Sequence, residues 1–116
     1  MARRISKGFT SAAGHNATRT AVITGVTGRR LRIFAINASK RTGVGAKQVA
    51  FFFTTETPAR LQQNLVDPNG TATPLAKDMG EDYWLGPAGA SFEYQQVDGG
   101  AGGTADIEIS VDYDWE

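Results

Sequence analysis

The residues best suited to acid–base or metal chemistry are carboxylates in the last segment of the sequence. Four acids there fall at alternate positions: Asp106, Glu108, Asp112 and Asp114. An extended strand presents all four on one face. Two carboxylates can serve as a glycosidase acid and base only where a cleft drives their pKa values apart, and several together can bind Ca²⁺. A row of acids on an open strand is more often solvated or paired with arginine across the sheet. We therefore predict no catalytic residue and no metal ligand in this segment.

No other part of the sequence contains the set of residues that an enzyme active site requires. Cysteine is absent and His15 is the single histidine, so a transition-metal site or a Ser-His-Asp triad lacks its usual residues. The glycine tract at 99–103 is followed by a strand pattern and lacks a Gly-Lys-Ser/Thr element, so it predicts a flexible hairpin loop and no phosphate cradle. The sequence thus predicts a protein that is not an enzyme and needs no cofactor.

Charge is strongly segregated along the chain. Residues 1–60 hold eleven of the twelve Lys and Arg residues and one acid, and residues 61–116 hold one base and eleven acids. Eleven less one gives formal charges of about +10 and −10 for the two halves. Oppositely charged strands of one domain can interleave as cross-strand pairs. Alternatively, a basic surface and an acidic surface face different neighbours, as in a subunit that packs head to tail. Both readings stay open at this point.

Residues 1–18 are typical of an extended basic arm, with Ile5 and Phe9 as its large apolar anchors. If the arm is ordered, either a partner or the domain's own surface must hold it. With the arginines of the next basic segment it gives our set of candidate partner-binding residues: Arg3, Arg4, Ile5, Lys7, Phe9, Arg29, Arg30 and Arg32. These bases can also contact nucleic acid phosphate, but the acidic half opposes that. We predict protein partners.

The remaining sequence has the period of two that is typical of strands. Strand patterns occupy 19–24, 29–39, 48–57, 81–86, 90–97 and 105–116. The pattern at 29–39 predicts a strand that starts half exposed and ends buried on both sides. The Phe-rich run at 48–57 predicts a central strand, and residues 105–116 predict a long half-buried strand with an acidic outer face. Residues 59–66 fit a strand or a helical turn, 67–70 a turn, and 71–80 an irregular connection.

Six to eight short strands without a good amphipathic helix predict an all-β fold. We expect a single antiparallel β-sandwich or jelly-roll-like domain at 19–116, preceded by the arm at 1–18. No apolar run is long enough to span a bilayer and no apolar h-region follows the first basic residues, so we expect no membrane segment and no export by the chain's own signal.

Aromatic residues suggest one further kind of site, a sugar-stacking platform. Its candidate members are Tyr83, Trp84, Tyr94, Tyr113 and Trp115. Strand alternation places Tyr113 and Trp115 on the core side, which favours a structural role for them.

The order of these features resembles a family. A Gly-bounded basic strand (TGVTGRRLRIFAINAS) is followed by a Phe-rich strand (VAFFFTTE), a Gly-Pro-x-Gly turn before an apolar strand (GPAGASFEY), and a glycine loop before the terminal amphipathic strand. Over residues 19–116 the chain is similar to small jelly-roll-like structural proteins of tailed bacteriophage virions, closest to capsid cement or decoration proteins.

The resemblance implies a virion protein that is made in the host cytoplasm and stabilises the capsid surface. Its partner would be the major capsid protein or another virion protein, and it would form a homo-oligomer, commonly a trimer. Terminal arms of such proteins reach neighbouring subunits. A neck or tail component of the virion and a carbohydrate-binding β-sandwich module are the alternative functions.

Overall fold

The chain forms almost only β-strands. In a computed structural model, the structure describes residues 4–10, 16–67, 69–98 and 106–116. Within these residues there are nine strands and one 3₁₀ turn. The strands are β1 Ile5–Thr10, β2 Asn16–Ile23, β3 Leu31–Thr42, β4 Lys47–Phe53, β5 Leu61–Val66, β6 Leu75–Asp78, β7 Trp84–Leu85, β8 Phe92–Asp98 and β9 Asp106–Trp115, with the turn at Gly80–Asp82.

The strands make two antiparallel sheets that pack face to face. Sheet A has the order β1-β9-β3-β6, with the short β7 also paired to β3, and sheet B has the order β2-β8-β4-β5. Leaving out β7, each sheet has four strands and the chain crosses repeatedly between sheets, which is the arrangement of a jelly roll. The predicted all-β sandwich is confirmed.

The core lies between the sheets and is rich in aromatic rings. Phe51 and Phe53 of β4 point inward with no exposed surface, and both rings contact Phe92 of β8, at centroid distances of 5.7 and 5.3 Å. Because β4 lies between β8 and β5, the predicted central position of the Phe-rich run is confirmed. Aliphatic residues of β3 and β9 supply the opposite wall: Leu31, Ile33, Ile36, Ile107, Ile109 and Val111.

The terminal strand β9 is the centre of sheet A. It pairs with β1 on one side and with β3 on the other. Ile107, Ile109 and Val111 face the core, as the alternation predicts. The prediction of a long strand is confirmed, but its acidic face is less solvated than expected, because Asp106 and Asp114 are buried.

Three local predictions need correction. Residues 71–80 are not wholly irregular, because Leu75 enters the core and residues 75–78 pair with β3. Residues 81–86 form a strand only at Trp84–Leu85, because the 3₁₀ turn breaks this edge opposite Phe34. The strand predicted at 29–39 begins at Leu31 and is buried on both faces at 33–36. It then runs on to Thr42, beyond the predicted end, where residues 41–42 are exposed. The segment at 59–66, left open between strand and turn, contains strand β5.

Residues 5–10 of the predicted arm lie on the domain's own surface. They form β1 and pair with β9 in an unbroken antiparallel register from Ile5 opposite Tyr113 to Thr10 opposite Glu108. Residues 5–10 of the arm are thus held by the domain's own surface. Strand β2 begins at Asn16, inside the range 1–18.

Candidate docking surface

The predicted partner-binding residues that the structure describes lie on both faces of sheet A and in the loop that precedes β3. Arg3 lies outside the described residues. Phe9 is half-buried on the inner face, where its ring lies 5.2 Å from that of Tyr94 in sheet B. Alternation places Ile5 and Lys7 on the same inner side of β1. Both are exposed, Ile5 to 43%, so sheet B does not cover this part of sheet A.

Two aromatic residues lie beside this uncovered part of the inner face. Tyr113 is directly opposite Ile5, and the Tyr113 and Trp115 rings meet edge to face at 6.2 Å. The guanidinium of Arg29 lies 5.7 Å from the Trp115 ring. We call the five residues Ile5, Lys7, Arg29, Tyr113 and Trp115 the β1 patch. It combines apolar surface with two cations, neither of which has an ion-pair partner among the described residues.

Arg4 lies on the outer face of sheet A instead. Its guanidinium stacks 4.8 Å from the Phe34 ring and lies 3.7 Å from the Asp78 carboxylate. Both charged side chains are well exposed, at 40% and 70%, so this pair contributes little to stability. Arg4 thus joins strands of its own sheet at the end where the β1 patch also lies.

Arg30 and Arg32 are also occupied within the domain. Arg32 donates two hydrogen bonds to Asp114, at 2.6 and 2.8 Å, and its guanidinium lies 5.6 Å from the Tyr83 ring. The hydrogen bonds to Asp114 and Tyr83 raise the pKa of Arg32. Arg30 donates to the Gly86 carbonyl oxygen at 2.9 Å. Their donors therefore fix neighbouring strands. Lys7 and Arg29 are the described cations of the set whose side chains have neither an ion-pair nor a hydrogen-bond partner among the described residues.

The alternating acids of β9 also serve the fold. Asp106 accepts hydrogen bonds from the Thr42 amide at 2.9 Å and the Thr42 hydroxyl at 2.7 Å, and it pairs with Arg41 at 3.1 Å. These bonds, led by that of the hydroxyl, hold the pKa of Asp106 below its usual range. Asp112 accepts from the Ser6 hydroxyl. Glu108 is exposed and 3.5 Å from Arg41.

Ion pairs join the basic half of the chain to the acidic half. Four arginines from the first half meet acids from the second: Arg4–Asp78, Arg19–Glu93, Arg32–Asp114 and Arg41–Asp106. The interleaved reading of the charge segregation is therefore correct for these residues. The alternative, in which a basic surface and an acidic surface face different neighbours, stays open only for bases without such a partner.

Among the described arginines Arg19 has the most hydrogen bonds across the fold, and sequence analysis did not single it out. It donates to the Glu93 carboxylate at 2.9 Å and to the carbonyl oxygens of Glu56 and Phe53 at 2.7 and 2.6 Å. Its guanidinium also stacks 3.8 Å from the Phe52 ring. Because every partner is distant in sequence, no local motif marks this residue.

A shallow groove crosses the outer face of sheet A. Its volume is about 520 Å³, and small residues such as Gly8, Ser110 and Ala76 are among those that line it. Gly8, Ser110, Asn37 and Ala76 form one row across the four strands. A Cβ atom built on Gly8 would meet no atom within 4 Å. Sequence analysis missed this groove, because the row is assembled from four separate strands.

The aromatic platform is not assembled. Tyr94 is 1% exposed and belongs to the core, and Trp84, Tyr113 and Trp115 pack against that core while only partly exposed. Tyr83 packs edge to face on Phe34, at 5.3 Å. Among these five residues no ring stands free on a face, so the arrangement does not favour stacking on a sugar.

Other functional signals are weak in the part of the chain that the structure describes. His15 and the glycine tract at 99–103 lie outside it. Within it, no group of three or more Asp, Glu or His residues is placed to hold a metal ion. None of the described residues forms a helix long and apolar enough to cross a membrane.

Comparison of this chain with protein-family models, with curated proteins and with solved structures found no match. Its function must therefore be argued from its own residues.

Proposed function

We propose that this chain is a non-enzymatic structural subunit of a tailed bacteriophage virion, which acts by docking on neighbouring virion proteins. The observation that carries the proposal is the β1 patch. Ile5 is 43% exposed on the inner side of sheet A, where sheet B does not cover it, and Lys7 and Arg29 lie nearby without an ion-pair partner among the described residues. Exposed apolar surface bordered by charge is typical of a protein–protein contact site.

The use made of the other polar residues supports a structural role. The side chains that are best suited to catalysis, Asp106 and Asp114, are tied to Arg41 and Arg32 and hold strands together. An acid and base pair needs two carboxyl groups that share a cleft. Here the two acids lie at opposite ends of β9.

The sequence resemblance supports the virion assignment, and the fold is compatible with it. Jelly rolls recur in viral capsid domains, although they also occur in lectins and enzymes, so the fold by itself does not choose among these. The resemblance of residues 19–116 to decoration proteins favours the capsid lattice as the place of action and the major capsid protein as the partner. On this proposal the chain adds a further layer of contacts that stabilises the shell.

Purified particles from cells that carry this gene test the proposal. We expect the chain to co-purify with particles at a copy number that matches the capsid lattice, and to appear as density on the capsid surface. Particles that lack it should release DNA at lower temperature. Density confined to the neck or tail would overturn the capsid assignment. If particles purified from cells that carry the gene did not contain the chain, the virion role would be overturned.

A further inference from the structure

The four outer edges of the two sheets differ in how open they are to another strand. In jelly rolls and sandwiches, an uncovered edge strand presents backbone N–H and C=O groups that can pair with a further chain. The edges are β1 and β6 with β7 in sheet A, and β2 and β5 in sheet B.

Three of these edges are interrupted or covered. The β6 edge is broken from β7 by the turn at Gly80–Asp82. Strand β2 changes register twice along its pairing with β8. Residues 71–73 fold back along β5, where Ala72 bridges to Val66 and the Thr73 amide donates to the Leu65 carbonyl at 2.9 Å.

Strand β1 is neither interrupted nor covered by the residues that the structure describes. It pairs with β9 over six residues without a register shift, and none of the other described strands pairs with its far side. Its inner face presents an apolar residue, a cation and an apolar residue in sequence: Ile5, Lys7 and Phe9. Arg29, which has no ion-pair partner among the described residues, lies over the adjacent Trp115.

We propose that an extended, acidic segment of a partner protein adds to β1 as a further strand of sheet A. Such strand addition takes its affinity from main-chain hydrogen bonds and its specificity from alternate side chains. The side chain opposite Lys7 would be an acid, because opposite charges directly across a strand pair attract. The residues two positions to either side would be apolar, to cover Ile5 and Phe9.

The positive charge of Lys7 disfavours a second copy of this chain as the added strand. An antiparallel pair of β1 strands centred on Lys7 would set two lysines directly opposite each other, and like charges in that position are destabilising. Lys7 therefore selects against self-pairing and for an acidic strand.

This inference rests on the proposed docking function, but its test needs no virus particle, so the two can fail separately. The probe is the capped peptide Thr-Val-Thr-Glu-Thr-Val-Thr, which places Val, Glu and Val on one face. Two control peptides replace the central Glu by Gln or by Lys. Each is titrated into the ¹⁵N-labelled full chain at low ionic strength, and amide shifts give the site and the dissociation constant.

We expect amide shifts concentrated at residues 5–10. The Glu peptide should bind roughly two- to fivefold more tightly than the Gln peptide, and the Lys peptide more weakly still. The Lys7→Glu variant should reverse this order, and Lys7→Gln should flatten it. Lys77→Glu is the matched control, because Lys77 is an exposed lysine on the opposite edge strand of sheet A, and it should leave the order unchanged.

Three results would overturn the inference. The first is no binding by any peptide while the spectrum shows a folded chain. The second is binding that does not involve Lys7 of β1, seen either as an order of affinities that Lys7→Glu leaves unchanged or as shifts that fall on β5 or β6. The third is a dimer in light scattering that the peptide dissociates, which would make a second copy the occupant of the β1 edge.

Discussion

The two faces of β9 can be compared residue by residue, since one strand forms both. Inward, Ile109 and Val111 are at most 2% exposed and belong to the apolar core. Outward, Asp106 and Asp114 are nearly as buried, at 5% and 6%, yet each is bonded to an arginine. Depth of burial therefore does not separate the faces. The inner face needs apolar volume, whereas the outer face needs particular partners.

The largest effect is expected where a charge is placed on the inner face. Val111→Asp should bury a carboxylate among aliphatic side chains and cost more than about 4 kcal/mol, enough to unfold a marginal domain. Urea unfolding followed by circular dichroism measures it. Asp112→Asn, one residue along on the outer face, is the control and should cost less than about 1 kcal/mol, because a neutral amide can still accept from Ser6. Equal losses would contradict the division between the faces.

Next in size is the loss of a partner on the outer face. Asp114→Asn should cost about 2 kcal/mol, because Arg32 keeps its charge in a half-buried site and loses a bidentate acceptor. A double-mutant cycle with Arg32→Met should give a coupling free energy of about 1 kcal/mol or more. The matching cycle of Asp112 with Arg32 should give nearly none. Coupling in the Asp112–Arg32 cycle instead of the Asp114–Arg32 cycle would mean that Arg32 pairs with Asp112 and not with Asp114.

At the other end of β9, the contribution of Asp106 to stability should depend on pH. Hydrogen bonds from Thr42 and the nearby Arg41 lower the pKa of Asp106 in the folded state. The stabilisation is thus complete above the unfolded-state pKa of about 3.9 and is lost as pH falls through the lower folded-state value. Asp106→Asn should melt lower than the parent at pH 7. The gap between the two should shrink below about pH 4, as thermal melts across pH would show.

The smallest effect is expected at the exposed acid of the same face. Glu108→Gln should change the free energy of unfolding by less than about 0.5 kcal/mol, because the Glu108 side chain is 58% exposed and 3.5 Å from Arg41. It should keep the acid sensitivity of the parent. If Glu108→Gln lowered the free energy of unfolding as much as Asp114→Asn, the outer-face position alone would determine the destabilisation. Burial beside an arginine would then not be its cause.

Where the sequence predicted the fold correctly, the signal lay within one strand. The alternation at 105–116 and the phenylalanines of β4 report burial directly, because each side of a strand repeats every two residues. The short strand at Leu75–Asp78 has only four residues, too few to alternate visibly. Its existence depends on β3 as a neighbour, which no local pattern records.

The candidate site shows the same limit. Sequence analysis named Ile5, Lys7 and Arg29 from their types, but it could not separate them from Arg30 and Arg32. That distinction depends on which arginines find an acceptor in three dimensions. Gly86 and Asp114 are more than fifty residues away along the chain, so their pairing is fixed by the sheets and is invisible in a list of residues.

The position of β9 between β1 and β3 has a consequence for synthesis on the ribosome. All four strands of sheet B lie within residues 16–98, so that sheet can assemble before the last strand emerges. Sheet A cannot, because β1 and β3 meet only through β9, and β1 must wait for a partner about one hundred residues later. Pairing across such separations is slow. We therefore expect the nascent chain to pass through a half-built state in which the apolar side of β3 is exposed and chaperones can bind.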